Sequence, residues 1–224
     1  MFATSTTAFH LAMKPSLRLT LEEAAQKYGL LDLASVVTAF LGQECSADLK
    51  LQVWQKVRIQ QAMYHDKSIL DSPQTLCSIS PTSTNLFGQY NSVIISSQHE
   101  SNWPRCGLRG HSVAQIRIIF RVLLSSLFLA YVQHFHIIPQ GNPMNTSAVT
   151  GMHLLKHAMR VDGQHIGEVI PLTQVRSPTH LVPHFSHEAN LCLTKLNTYE
   201  LSTEFWLNKY WMKEFYYALS PACI

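Results

Sequence analysis

Two short stretches near the start of the chain carry a helical period. Thr20 precedes Leu-Glu-Glu, and Glu23 follows three residues later, the pattern of a reciprocal N-terminal cap. Leu21, Ala24, Ala25 and Tyr28 recur at helical spacing, and Gly29 suits the left-handed residue that closes a helix. A second helix is expected from Leu31 or Asp32 to Leu41, with Leu33, Val36, Val37 and Phe40 on one face and Gly42 at its end. After Gly42 the period shortens to two. Leu51, Val53, Val57 and Ile59 alternate with Gln52, Trp54, Lys56 and Arg58. Further strands are expected over 90–96, 113–123, 128–138, 152–160 and 167–174, with Asp162-Gly163 as a turn between the last two. Segments rich in Ser, Thr, Pro or Gly predict loops at 71–84, 98–110 and 139–150.

Short strands with loops between them, and no alternation of strand and helix, predict an α+β protein. Its expected form is a short N-terminal helical segment followed by a mainly antiparallel β body, a small barrel being one way to close it. The expected division is a helical lead-in over 1–45 and a β body over 46–224, joined in one folding unit. The close of the chain resists assignment. It places eight aromatic side chains between Tyr199 and Tyr217. Leu201, Phe205, Met212, Phe215 and Leu219 lie near helical spacing, while Phe205, Leu207, Trp211, Phe215 and Tyr217 fit a strand nearly as well. Such a segment can anchor a core or face a partner, because Tyr and Trp combine large apolar area with a polar tip.

Composition sharpens the partner question. Charged residues are only 14% of the 224 positions, against roughly 25% in ordinary soluble domains. A surface this poor in charge favours a covering partner. The net charge of +3 comes from scattered Lys and Arg, the tightest grouping being Lys50, Lys56 and Arg58. The five cysteines form no Cys-x-x-Cys, which argues against a zinc ribbon and reads as reduced thiols in an intracellular protein. The apolar run Val122–Val132 is eleven residues long, and a membrane span needs about 20. A membrane anchor through 117–138 is therefore the minor alternative to a buried core segment.

The side chains that could carry chemistry are few. Twelve histidines are present, the densest group being His180, His184 and His187 followed by Glu188. Imidazole and carboxylate at such spacing can hold a metal, which makes a metal-dependent enzyme the second reading. No His-Glu-x-x-His, Gly-x-Ser-x-Gly, phosphate loop or Gly-x-Gly-x-x-Gly occurs. No catalytic residue and no cofactor follows from the sequence. Arg105, Arg109, Arg117 and Arg121 flank Gly-Leu-Arg-Gly-His, with Trp103 near, and Arg117 and Arg121 share one face if their strand stays extended. Arg interleaved with aromatics can hold single-stranded nucleic acid, although an ordinary solvated strand face explains the same pattern. Trp206, Tyr210 and Trp211 are the matching candidates for partner contact in the aromatic close.

Several phrases together resemble one family. They include Glu-Glu-Ala-Ala-Gln-Lys-Tyr-Gly-Leu-Leu-Asp-Leu at 22–33, Leu-Gln-Val-Trp-Gln-Lys-Val-Arg at 51–58, Gly-His-Ser-Val-Ala-Gln-Ile-Arg at 110–117 and Glu-Phe-Trp-Leu-Asn-Lys-Tyr at 204–210. The set resembles an uncharacterised domain of mushroom-forming fungi, typical of the carboxyl-terminal region of proteins encoded by Plavaka-type DNA transposons. The resemblance carries no catalytic residues. It implies a non-enzymatic accessory module that contacts another transposon-encoded protein, or DNA, in the nucleus.

Overall fold

Three short strands, β1 (Phe2–Ala3), β2 (Thr7–His10) and β3 (Leu17–Thr20), lead into two helices, α1 (Leu21–Tyr28) and α2 (Leu33–Leu41). The strands β4 (Lys50–Trp54), β5 (Lys56–Gln61), β6 (Gln74–Ile79), β7 (Gln89–Tyr90) and β8 (Ser92–Ser96) follow. Two longer strands, β9 (His111–Val122) and β10 (Leu129–Ile137), form the central hairpin. The rest comprises β11 (Leu154–His157), β12 (Gly167–Pro171), β13 (Val175–Thr179), β14 (Leu181–Pro183), α3 (Thr198–Leu201), β15 (Glu204–Leu207) and α4 (Lys213–Leu219). The computed structural model describes residues 2–4, 6–96, 103–104, 107–142, 145–185, 188 and 190–220.

The helices form where local chemistry dictates. The Glu23 amide donates to the Thr20 hydroxyl at 3.1 Å, and the Thr20 amide donates to the Glu23 carboxylate at 2.7 Å. Gly29 and Gly42 close the two helices in the left-handed conformation, at φ 64° and 66°. Asp32 precedes α2 but makes no cap. Its carboxylate is spent on the tertiary structure instead.

All strand pairs are antiparallel, in two sheets. The smaller has the order β1-β2-β5-β6-β7. The larger is a curled half-barrel running β13-β8-β9-β10-β11-β15-β14, with β3 and β4 added beside β9 and β12 beside β10. The chain changes sheet at Gln55, between β4 and β5, so the single alternating run of 51–59 is two strands. That corner buries Trp54, whose indole N–H donates to the Ala12 carbonyl at 2.9 Å. Residues 71–84 are not wholly a loop, since β6 lies within them. The apolar run after β9 is the β9–β10 hairpin, turned at Leu124 with φ 71°. Among the described residues no helix is long and apolar enough to cross a membrane.

Three buried clusters sit around these sheets. One lies between them, with Phe9, Val57, Ile59 and Leu76 facing Val93, Ile116, Ile119 and Val132. A second joins α1 and α2 to the large sheet through Leu21, Tyr28, Leu33 and Val37 against Leu51, Val53, Phe120 and Tyr131. The third holds the C-terminal elements, with Phe205, Leu207, Phe215 and Leu219 against Phe135, Leu155 and Leu181.

Candidate functional site

Arg117 stands at a fork in the large sheet. On one side of β9, β8 pairs with residues His111–Gln115 and β4 pairs with Ile119–Val122. On the other side β10 runs past both, but its register shifts: Tyr131 faces Ile118 and Val132 faces Ile116. Arg117 is the extra residue of this bulge. Its carbonyl accepts the Ser78 hydroxyl at 2.8 Å, which ties the small sheet to the fork. The bulge also reverses the strand's parity. Arg117 therefore points to the face carrying Tyr90, whereas Arg121 points to the opposite face, over Trp54 and Phe128 at 5.6 and 5.2 Å. The two arginines do not share a face, and the uninterrupted alternation expected of 113–123 fails at this residue.

The Arg117 guanidinium is buried and fully engaged on one nitrogen. Nη1 donates to Glu200 at 2.8 Å, to Gln133 at 3.1 Å and to Gln115 at 3.2 Å. The group also lies 4.1 Å from the centroid of the Tyr90 ring. Around it runs a polar layer between sheet and helices. The Tyr131 hydroxyl donates to Asp32, and Arg160 donates to the same carboxylate at 2.6 Å. Gly167 makes room for this arrangement, because a Cβ there would lie 1.9 Å from the Tyr131 oxygen.

Above the Arg117 group opens a cleft of about 390 Å³, walled by Phe87, Tyr90, Gln115, Lys195, Tyr199 and Glu200 among others. Burial pushes the phenols of Tyr90 and Tyr199 above their ordinary range, so both remain donors at neutral pH. The one acidic side chain on this wall, Glu200, is committed to Arg117. Rings and amide groups of this kind suit binding, and no nucleophile stands beside a base here.

Beneath Tyr199, His157 donates from Nε2 to the Tyr199 carbonyl at 2.9 Å and packs against His165, ring centroids 4.7 Å apart. Burial lowers the His157 pKa to about 4, with the neighbouring His165 as the next cause, and burial also lowers His165 and His153. The unfolded chain protonates near the ordinary 6.5, which the folded chain resists. The unfolded state thus binds more protons between about pH 6.5 and 4, and stability falls as the pH falls through that window. His157 alone is expected to contribute about 3 kcal/mol of this loss. Urea unfolding at pH 7 and pH 5 checks it: wild type loses stability, and His157→Gln flattens the slope.

The other expected site residues divide sharply. Arg109 is exposed, and Arg105 lies outside the described residues. Arg121 is held by Gln52 Oε1 at 2.6 Å. Trp103 is buried, donating to the Ala62 carbonyl at 2.8 Å and meeting Phe215 edge-on, so it offers no stacking face. In the histidine group, His184 donates to Glu204 at 2.8 Å, His180 accepts from Asn208 at 3.2 Å, Glu188 is exposed, and His187 lies outside the described residues. Among the described residues no group of three or more His, Cys, Asp or Glu side chains could hold a metal.

The aromatic close is both strand and helix, in sequence. Its first half is β15, which buries Phe205 and Leu207 and leaves Trp206 half-buried against His184. Its second half is α4, which buries Phe215, Ala218 and Leu219 and turns Tyr216 and Tyr217 outward. Tyr210, Trp211, Tyr216 and Tyr217 are 57, 39, 44 and 40% exposed. Three of them are in contact: Tyr210 meets Tyr216 at 5.8 Å and Tyr216 meets Tyr217 at 5.6 Å between centroids, with Lys209 5.2 Å from the Tyr210 ring, whereas Trp211 packs on Phe215 and His180. His65 packs on Tyr217.

The sequence is matched over residues 1–50 and 47–155 by a family model whose description is a domain of unknown function, DUF6830. No curated protein and no solved structure matches the chain.

Proposed function

The chain belongs to the DUF6830 family of domains of unknown function, and we propose that it is a non-enzymatic accessory module that docks on another protein segment encoded by a fungal DNA transposon. The observation that carries this reading is the exposed aromatic surface of Tyr210, Trp211, Tyr216 and Tyr217. Exposed Tyr and Trp side chains are residue types that dominate protein interfaces. The resemblance to the carboxyl-terminal region of longer transposon proteins in mushroom-forming fungi supplies the partner, and the low charge of the chain agrees with a covered surface.

A protein partner is favoured over DNA because two of the four arginines considered for nucleic acid, Arg117 and Arg121, are engaged inside the fold, while Arg109 is exposed. Arg117 pairs with Glu200, Arg160 with Asp32, and Arg121 is held by Gln52. Phosphate binding needs such groups free on one face. The same reading takes 1–45 and 46–224 as one folding unit, since the second cluster joins helices of the first to strands of the second.

The test is fluorescence anisotropy of the labelled chain. It is titrated with the segment that precedes this domain in transposon proteins, and separately with duplexes carrying transposon ends or scrambled sequence. The reading expects saturable binding to the protein segment, little changed by salt and lost in the double variant Trp211→Ala/Tyr216→Ala. Binding to transposon-end duplex that weakens steeply with salt would replace it with a DNA-docking role.

A further inference from the structure

Lys209 is a buried base beside the exposed rings. It sits in the turn between β15 and α4, and its two chain neighbours pin that turn. The Asn208 amide donates to the His180 carbonyl at 2.9 Å, and Asn208 Oδ1 accepts the Tyr210 amide at 3.0 Å. The Tyr210 hydroxyl donates to the Thr150 carbonyl at 2.9 Å, which fixes the ring. Lys209 is only 6% exposed, whereas Tyr210 and Tyr216 are 57 and 44% exposed. Its Nζ lies 5.2 Å from the centroid of Tyr210 and 5.8 Å from that of Tyr216. Gly151 makes room for the amine, because a Cβ there would stand 2.7 Å from Nζ.

The chain supplies this amine with no counter-charge. Among the described residues the ion pairs are Arg117–Glu200, His134–Glu168, Arg160–Asp32 and His184–Glu204, and Lys209 enters none of them. Glu214, the one acidic side chain of α4, accepts the Tyr64 amide instead. A neighbouring titratable group, His153, is itself a base: burial lowers its pKa, and the charge of Lys209 acts in the same direction. Aromatic rings attract a cation but carry no net charge. A desolvated ammonium is ordinarily paired, because leaving water is costly.

We propose that Lys209 is the polar anchor of the docking face and pairs with an Asp or Glu side chain of the partner segment, whose apolar neighbours pack on Tyr210 and Tyr216. The inference rests on the docking reading above and adds the chemistry that the partner must present. A pair covered by rings is screened little, so it agrees with docking that salt barely changes.

Two measurements test it, and the first needs no native partner. The side-chain NMR signal of Lys209, assigned by its loss in Lys209→Met, is followed as N-acetyl-Asp-Phe-amide is added. This dipeptide is expected to move the signal saturably, while N-acetyl-Asn-Phe-amide at the same concentration leaves it in place. The second measurement is anisotropy with the preceding transposon-encoded segment. Lys209→Met, which keeps most of the buried stem, is expected to weaken binding roughly tenfold, the loss of one charge-assisted hydrogen bond. Replacing Asp and Glu by Asn and Gln in the segment should weaken wild type equally and add nothing in Lys209→Met. A segment that binds wild type and Lys209→Met alike would overturn the inference while leaving docking intact. So would a Lys209 signal moved equally by both dipeptides, or by neither. A segment that fails to bind, while the Asp dipeptide still moves the signal, would overturn the docking partner and leave the carboxylate site standing. A signal moved by oligothymidylate at lower concentration than by the Asp dipeptide would make the face a single-strand platform and overturn the inference as well.

Discussion

Phe215→Ala is expected to lower the free energy of unfolding by about 3–5 kcal/mol, while Tyr216→Ala, the next residue, changes it by no more than about 1 kcal/mol. The two rings leave different faces of α4, one buried and one exposed. Phe215 is fully buried, edge-on to both Trp103 and Trp211, within the cluster that fastens the C-terminal elements to the large sheet. Its removal opens a cavity that surrounding strands cannot collapse to fill. Tyr216 is 44% exposed and meets only other surface rings and Lys209. The order reverses for docking. Trp211→Ala and Tyr216→Ala are each expected to cost about 2 kcal/mol of binding, the level of an interface anchor, or roughly 30-fold in Kd. Urea unfolding reads the first pair of numbers and anisotropy the second. Equal destabilisation by both substitutions would mean that α4 has no distinct outward face.

Arg117→Ala is the second large effect, expected at about 3 kcal/mol, the lower end for breaking a buried ion pair because Glu200 is partly solvated. The loss comprises the Glu200 pair, the stack on Tyr90 and donors to Gln115 and Gln133. Glu200→Gln should cost less, since its amide oxygen still accepts from the guanidinium. Equilibrium unfolding of the two variants and their double mutant measures the coupling. A coupling near zero would show that the pair does not hold α3 against the sheet, and with it the cleft wall at Glu200.

What the sequence made legible was whatever depends on near neighbours. The capping box of Thr20 and Glu23 and the left-handed closures at Gly29 and Gly42 are local chemistry, and they appear as expected. So do the α+β class and the antiparallel body. What remained hidden depends on distant residues. Nothing in the alternation of 113–123 marks Arg117 as a bulge, because the register is set by β10 and by the Ser78 hydroxyl from another sheet. The ion-pair partners of the polar layer, Asp32 with Arg160 and Arg117 with Glu200, are 128 and 83 positions apart. β6 hides in a stretch of Ser, Thr and Cys because it pairs with β5 on one side and β7 on the other, which satisfies a polar strand without an apolar run. The aromatic close fitted two periods at once because it contains both, a strand and then a helix, with a turn at Asn208–Met212 between them.

The rings at 210–217 are the docking face proposed for a protein partner. Hydroxyl-radical footprinting of the chain, alone and saturated with the preceding transposon-encoded segment, tests it most directly. Tyr210, Trp211, Tyr216 and Tyr217 are expected to react readily in the free chain and to be protected in the complex, while buried Phe205 and Phe215 stay unreactive in both. A complex that leaves those four rings as reactive as before, with protection elsewhere on the surface, would contradict the account.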